Sequence, residues 1–223
     1  MKTILITGAN RGIGLALTRQ FVARGDRVIA VCRHTSDALE ATGARVEAGI
    51  DVTDDAALAA LAQRLGDTRI ETLVLNAGIM AREVLGSIDH AGFDAIRRQF
   101  DVNALGPLRV AQALLGQLGE GAKIGIVTSR MGSVADNTSG GAYGYRASKA
   151  AVNAIGKSLA IDLAPRGIAV VLLHPGYVAT DMVGGSGDVT PEQAARQLVE
   201  RLDALTLEQA GAFMHANGSE LPW

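Results

Sequence analysis

Thr3-Ile4-Leu5-Ile6-Thr7-Gly8-Ala9-Asn10-Arg11-Gly12-Ile13-Gly14 begins as an apolar run and ends in closely spaced glycines. Thr3 to Thr7 reads as a buried strand, and from Gly12 the chain takes on helical patterning that stops at Gly25. Glycines between a strand and a helix allow a tight turn, let a ligand come close to the backbone, and let the helix sit near the sheet. The helix N-terminus adds free amides and the positive end of a dipole, which together attract a pyrophosphate. Alone, such glycines are an ordinary turn; between the first strand and first helix of a βαβ unit they predict a nucleotide-binding turn.

Further along, short runs rich in Ile, Val and Leu recur at Arg27 to Cys32, Arg45 to Ile50, Thr72 to Asn76, Lys123 to Thr128 and Ile168 to His174, with a short candidate at Gly211 to His215. Most are apolar throughout, as parallel strands covered on both faces are, and the gaps leave room for crossover helices. Thr53-Asp54-Asp55 marks one helix start, and Thr190-Pro191-Glu192-Gln193 reads as a capping box with Pro at the first helical position. The expectation is one doubly wound Rossmann-type α/β domain over residues 1–223, a parallel sheet of about seven strands with helices on both faces. Ligands should then bind beyond the carboxyl ends of the strands.

Composition narrows the function classes. A chain of 223 residues with 48% hydrophobic but only 4% aromatic residues builds its core from Ala, Val, Leu and Ile. A net charge of -2 and no basic run argue against a nucleic-acid partner. No stretch approaches the ~20 apolar residues of a membrane span, and the N-terminal apolar run is too short for a signal peptide. Cys32 is the only cysteine, which rules out an internal disulfide and suits a reducing, cytoplasmic setting. No metal is expected.

Charge at the end of the second strand selects the nucleotide. An acidic residue there would grip free ribose hydroxyls, whereas a cation would grip a 2′-phosphate. The sequence is Val31-Cys32-Arg33, and Arg11 lies in the glycine turn, so the expected cofactor is NADP(H).

The chemistry concentrates after the fifth strand, in Ser129-Arg130-Met131-Gly132-Ser133 and Tyr143-Gly144-Tyr145-Arg146-Ala147-Ser148-Lys149. Helical residues four apart differ by about 40° in rotation, so Tyr145 and Lys149 share a face while Tyr143 points elsewhere. A free phenol with a pKa of about 10 is a poor acid near neutrality, and an ammonium beside it would draw that value down. Ser129 could hold the substrate oxygen, with Ser133 as the other candidate.

With these motifs in order along nearly its whole length, the chain resembles the short-chain dehydrogenase/reductase family. Thr7-Gly8-x-x-x-Gly12-Ile13-Gly14, with Asn10 and Arg11 inside it, is similar to the family's cofactor turn, and Asp51-Val52 to its adenine-contacting pair. Asn76-Ala77-Gly78 matches the central-strand signature, with Leu75 in place of the usual first Asn. The resemblance implies that Asn103 bends a long helix and anchors a proton-relay water, and that Ser129, Tyr145 and Lys149 complete the catalytic set, Tyr145 and Lys149 also touching the cofactor. It implies that Pro175, Gly176, Val178 and Thr180 contact the nicotinamide carboxamide. The wording around Tyr145 and the Glu220-Leu221-Pro222-Trp223 ending look most like the subgroup of sniffer-type carbonyl reductases and bacterial C-factor.

The function so implied is NADPH-dependent reduction of an aldehyde or ketone, with Tyr145 as general acid. A cofactor-binding signalling protein of C-factor type is the alternative. A methyltransferase of similar topology ranks below both, because it would want an acidic residue where Arg33 stands. Met131, Tyr177 and Met182 offer an apolar wall, so a neutral small molecule is the expected substrate. The Gly-rich stretch between Thr180 and Thr190 reads as a short lid. A homodimer or homotetramer through the long helices is the assembly the resemblance implies.

Overall fold

The computed structural model describes residues 1–223. Its first unit is β1 (Thr3–Thr7), α1 (Gly12–Ala23) and β2 (Arg27–Val31). The chain continues through α2 (Asp37–Glu40), β3 (Arg45–Glu47), α3 (Asp55–Leu65) and β4 (Ile70–Leu75). Then come α4 (His90–Phe100), α5 (Gly106–Ala113), β5 (Leu118–Val127), α6 (Tyr143–Leu163), β6 (Ala169–His174), α7 (Pro191–Ala204) and β7 (Phe213–His215). All seven strands pair in parallel in the order β3-β2-β1-β4-β5-β6-β7. The strand order therefore reverses between β1 and β4, and a crevice opens at that switch point.

The continuous apolar strands follow from burial on both faces. In β1, Ile4 and Ile6 join one core with Leu17 and Phe21 of α1 and Leu198 of α7. Leu5 points to the other face, into a core with Leu58 and Leu61 of α3, Val110 of α5 and Val152 of α6. Because side chains alternate across a strand, both sets must be apolar.

Element boundaries differ from the sequence expectation where local geometry intervenes. β3 stops at Glu47 rather than Ile50, because Gly49 turns the chain at φ +78°. β5 begins at Leu118, five residues earlier than expected, and pairs with β4 across a register shift between Ile70 and Thr72. The third helix is capped by Asp54, whose carboxylate accepts from the Ala56 and Ala57 amides. The capping box at Thr190 and Gln193 forms as read. No helix is long and apolar enough to cross a membrane.

Between α4 and α5 the helix widens into one π-type turn, Asp101–Leu105. Such turns bend a helix and recur at functional sites. Asn103 sits inside it.

Candidate active site

At the carboxyl ends of the strands lies a cleft of about 700 Å³. Its floor is the turn after β1, held by hydrogen bonds from a neighbouring strand. The Thr7 hydroxyl accepts from the Asn76 and Ala77 amides at 3.0 and 3.1 Å, and Asn76 Nδ2 donates to the Thr7 and Gly8 carbonyls at 3.0 and 3.1 Å. Asn76 thus serves the turn itself. Gly8 has φ +66°, and a Cβ on Gly14 would overlap the Gly8 carbonyl, so helix and turn are closer than any side chain allows. This close-packed turn, opening onto the cleft at the start of a 12-residue helix, fits a pyrophosphate.

Charge around the turn fits a phosphorylated ribose. Arg11 and Arg33 both line the cleft and are 64% and 54% exposed, free to close on an anion. Their existing partners are loose: Arg11 lies 3.6 Å from Asp181, and Arg33 3.9 Å from Asp51. Burial raises the Asp51 carboxyl, but hydrogen bonds from Thr53 and the Arg98 guanidinium outweigh it and hold the group below its usual range. Asp51 and Val52 line the cleft with Asn10, Gly12, Ile13, Ala77 and Gly78. From the far side Pro175, Gly176, Val178 and Thr180 complete it, the Thr180 methyl lying 3.2 Å from where a Gly12 Cβ would stand.

The three proposed chemical residues converge from two elements. Tyr145 and Lys149 lie on the first two turns of α6, and Ser129 stands two residues after the end of β5. All three line the cleft and all are buried. Lys149 Nζ donates to the Val127 carbonyl at 3.0 Å and stands 5.7 Å from the Tyr145 ring centre. Burial lowers the Lys149 pKa to about 8. Burial also pushes the Tyr145 phenol above its ordinary value, with the Ser129 hydroxyl opposing the rise. In the free protein the phenol is therefore not drawn down by its lysine, contrary to the sequence expectation. Burial sets the direction, and the Lys149 ammonium is turned to the Val127 carbonyl.

The two candidate serines separate clearly. Ser133 donates to the Trp223 backbone oxygen at 3.1 Å and accepts from the Asp136 amide at 3.1 Å, away from the cleft. Ser129 faces Tyr145. Asn103 Oδ1 accepts from the Ile79 amide at 2.8 Å, while Nδ2 donates to the Ile79 carbonyl at 2.8 Å and Ser148 Oγ at 3.0 Å. Both amide hydrogens are thus engaged by protein, and Asn103 ties the loop after β4 to α6. A Cβ on Gly78 would stand 3.3 Å from Asn103 and 3.7 Å from Lys149, so the expected residues meet around that glycine.

Several contributors escape sequence reasoning. Glu83 is buried and accepts from Gln99 Nε2 at 2.6 Å and from the Gly144 amide at 3.1 Å, capping α6 from a distant loop. Gln99 in turn accepts from the Ala81 amide at 2.9 Å. The helix needs this support, because its own N-cap, Ala142, is left-handed at φ 47° and offers no side-chain bond. Ser36 donates to the Asn10 carbonyl at 2.8 Å and braces the glycine turn. His174 lines the cleft with its Nδ1 buried and unpartnered, and burial, reinforced by the positive charge of His215, Arg130 and Lys149, lowers its pKa to about 4. The expected apolar wall of Met131, Tyr177 and Met182 is present, yet Arg82, Arg130 and Arg146 share it. None of these partnerships has a local signal, since each joins residues far apart in the chain.

Residues 2–190 match the family model for short chain dehydrogenase. The 1-hydroxy-2-glutathionyl-2-methyl-3-butene dehydrogenase of Rhodococcus sp. strain AD45 is 46% identical over 229 residues, covering 100% of both chains. The C-signal protein of Myxococcus xanthus is 45% identical over 157 residues, covering 69% of this chain and 93% of that protein. Among solved structures, the carbonyl reductase Sniffer of D. melanogaster superposes with a TM-score of 0.90 at 31% identity over 100% of both chains. The NADPH-bound carbonyl reductase from chicken fatty liver gives 0.89 at 28% identity, covering 100% of this chain and 99% of that one.

Proposed function

Since the chain belongs to the short-chain dehydrogenase family, and so to the dehydrogenases and reductases, we propose that it is an NADPH-dependent carbonyl reductase acting on an aldehyde or ketone. The observation that carries this reading is the convergence of buried Ser129, Tyr145 and Lys149 on the same cleft as the glycine turn and Arg11 and Arg33.

When bound, the reduced nicotinamide supplies the hydride. Arg33 and Arg11 hold the 2′-phosphate, and the close-packed turn of Gly8, Gly12 and Gly14 receives the pyrophosphate. Asp51, Val52, Asn10, Ile13, Ala77, Gly78, Pro175, Gly176, Val178 and Thr180 form the remaining walls of the cofactor site, and Asn76 keeps its turn in shape. The NADPH in the chicken structure supports this cofactor.

Ser129 donates a hydrogen bond to the carbonyl oxygen and sets its distance from Tyr145. Tyr145 gives that oxygen its proton. A phenol held above its ordinary pKa is fully protonated at neutral pH, which is the form an acid in the reductive direction requires. Lys149, with a pKa near 8, is largely charged at neutral pH and carries positive charge to the nicotinamide ribose and the phenol. Asn103 keeps the loop after β4 and α6 in register, so that Tyr145 and Lys149 stay aimed at one point.

The Rhodococcus relative is named as a dehydrogenase of a 1-hydroxy compound, which supports a primary alcohol or aldehyde carbon as the reacting centre. The likeness to C-signal favours a second reading, a cofactor-dependent signalling role. Cys32 as a lone buried thiol suits a cytoplasmic location. Phe93, Leu105 and Leu108 on the α4–α5 bend and Ile161 on α6 are exposed apolar residues suited to homodimer or homotetramer assembly.

The test follows NADPH oxidation against a panel of aldehydes and ketones with wild type and Tyr145→Phe. Loss of about a hundredfold or more in kcat, with NADPH affinity kept, is expected. Full activity in Tyr145→Phe would remove the assigned acid, and inactivity of the wild type across the panel would favour the signalling reading.

A further inference from the structure

Arg82, Arg130 and Arg146 all line the cleft that holds Ser129, Tyr145 and Lys149, on a chain whose net charge is -2. Two of them directly follow residues assigned to the reaction: Arg130 follows Ser129, and Arg146 follows Tyr145. Their backbones are thus fixed beside the reacting residues, while their side chains extend to the rim of the cleft.

Their charges are unequally compensated. Arg130 is paired through two hydrogen bonds with Asp136. Arg146 bonds only neutral acceptors, the Gly140 carbonyl at 3.2 Å and the Ser139 hydroxyl at 2.7 Å. Arg82 is exposed, on the loop from Gly78 towards α4, and has no ion-pair or side-chain hydrogen-bond partner. The nearest acid in sequence, Glu83, is buried and turned to Gln99 and the Gly144 amide. Of the acids lining the cleft, Asp136 is taken by Arg130, and Asp181 and Asp51 stand by Arg11 and Arg33 at the cofactor turn, so neither pairs with Arg82 or Arg146. Arg82 and Arg146 are therefore the arginines of this cleft that have no carboxylate beside them.

From this we infer that the substrate bears a carboxylate beyond its reacting carbonyl and that Arg82 and Arg146 receive it, in place of the neutral substrate that the apolar wall alone suggests. Guanidinium groups bind a carboxylate through two parallel hydrogen bonds, and a cleft walled by Met131, Tyr177 and Met182 screens that contact less than open water does. The apolar wall takes the body of the molecule, and the arginines take its charged end. The inference rests on the carbonyl-reductase reading for the role of Tyr145.

The experiment compares 4-formylbenzoate with methyl 4-formylbenzoate as substrates of the NADPH-loaded protein, using wild type, Arg82→Ala, Arg82→Glu and Arg146→Gln. Calorimetry on the NADP-loaded protein with the corresponding alcohols, 4-(hydroxymethyl)benzoate and its methyl ester, reads the same preference without turnover. For wild type, a carboxylate-to-ester ratio of kcat/KM of about ten or more is expected, expressed mainly in KM. The ratio should fall severalfold in Arg82→Ala and Arg146→Gln, drop below one in Arg82→Glu, and shrink as NaCl rises from about 0.05 to about 0.5 M. Equal turnover of the two aldehydes, or a ratio that Arg82→Glu leaves in place, overturns the inference while leaving the reductase reading standing. Carboxylate-dependent binding with no turnover of either aldehyde upholds the anion site and overturns the reductase reading instead.

Discussion

Lys149→Met is predicted to stabilise the folded protein at neutral pH while removing its turnover. Lys149 is 4% exposed, and burial alone lowers its pKa from 10.5 to about 8. Below pH 8 the ammonium is charged in both the folded and unfolded chain, and the folded state bears its full desolvation cost. The gap between the two values corresponds to about 3 kcal/mol. Between pH 8 and 10.5 the unfolded chain holds a proton that the folded chain has lost, so wild-type stability rises with pH across that window. Met has nearly the same length and removes the charge, at the expense of the donor to the Val127 carbonyl, a loss of about 1 kcal/mol.

The variant should therefore be about 2 kcal/mol more stable than wild type at pH 7, with the advantage fading and reversing slightly by pH 10.5. The Tyr145 phenol, raised above 10.0 in the folded chain, adds its own pH dependence only near the top of this range, and comparing the two proteins in a Tyr145→Phe background removes it. Urea unfolding of both proteins at intervals from pH 6.5 to 10.5 measures this directly. A difference that stays flat across pH, or a variant already less stable at pH 7, would refute the account of Lys149 as a desolvated ammonium.

Arg33→Asp should reverse cofactor preference, lowering kcat/KM for NADPH about tenfold or more and sparing NADH, because a carboxylate at the end of β2 repels the 2′-phosphate and accepts from ribose hydroxyls; steady-state kinetics with both cofactors decide it. Glu83→Ala leaves the Gly144 amide and the Gln99 side chain without acceptors in a buried place, so unfolding in urea should show a loss of about 2–4 kcal/mol, with Glu83→Gln milder. His174, with a pKa near 4, stays neutral in the folded chain while the unfolded chain takes up a proton below pH 6.5. Stability should fall by up to about 3 kcal/mol as pH drops from 6.5 to 4, and the difference between wild type and His174→Phe in pH-dependent melting should trace that loss.

From sequence alone, the apolar strands, the glycine turn and the capping box at Thr190 settle the doubly wound architecture, because each is a local pattern whose physics acts within a few residues. The four-residue spacing of Tyr145 and Lys149 likewise places both on one helical face without knowledge of the rest of the chain. Only the folded chain decides how those groups behave. It sets Ser129 rather than Ser133 beside the tyrosine, since Ser133 is engaged by Trp223, ninety residues away. It raises the phenol instead of lowering it, because desolvation depends on everything packed around Tyr145 and Lys149. It caps α6 with Glu83 and brings Arg82, from the loop after β4, and Arg146, from α6, to one cleft. Periodicity and spacing are properties of neighbours in sequence, whereas burial, acidity and charge balance belong to neighbours in space.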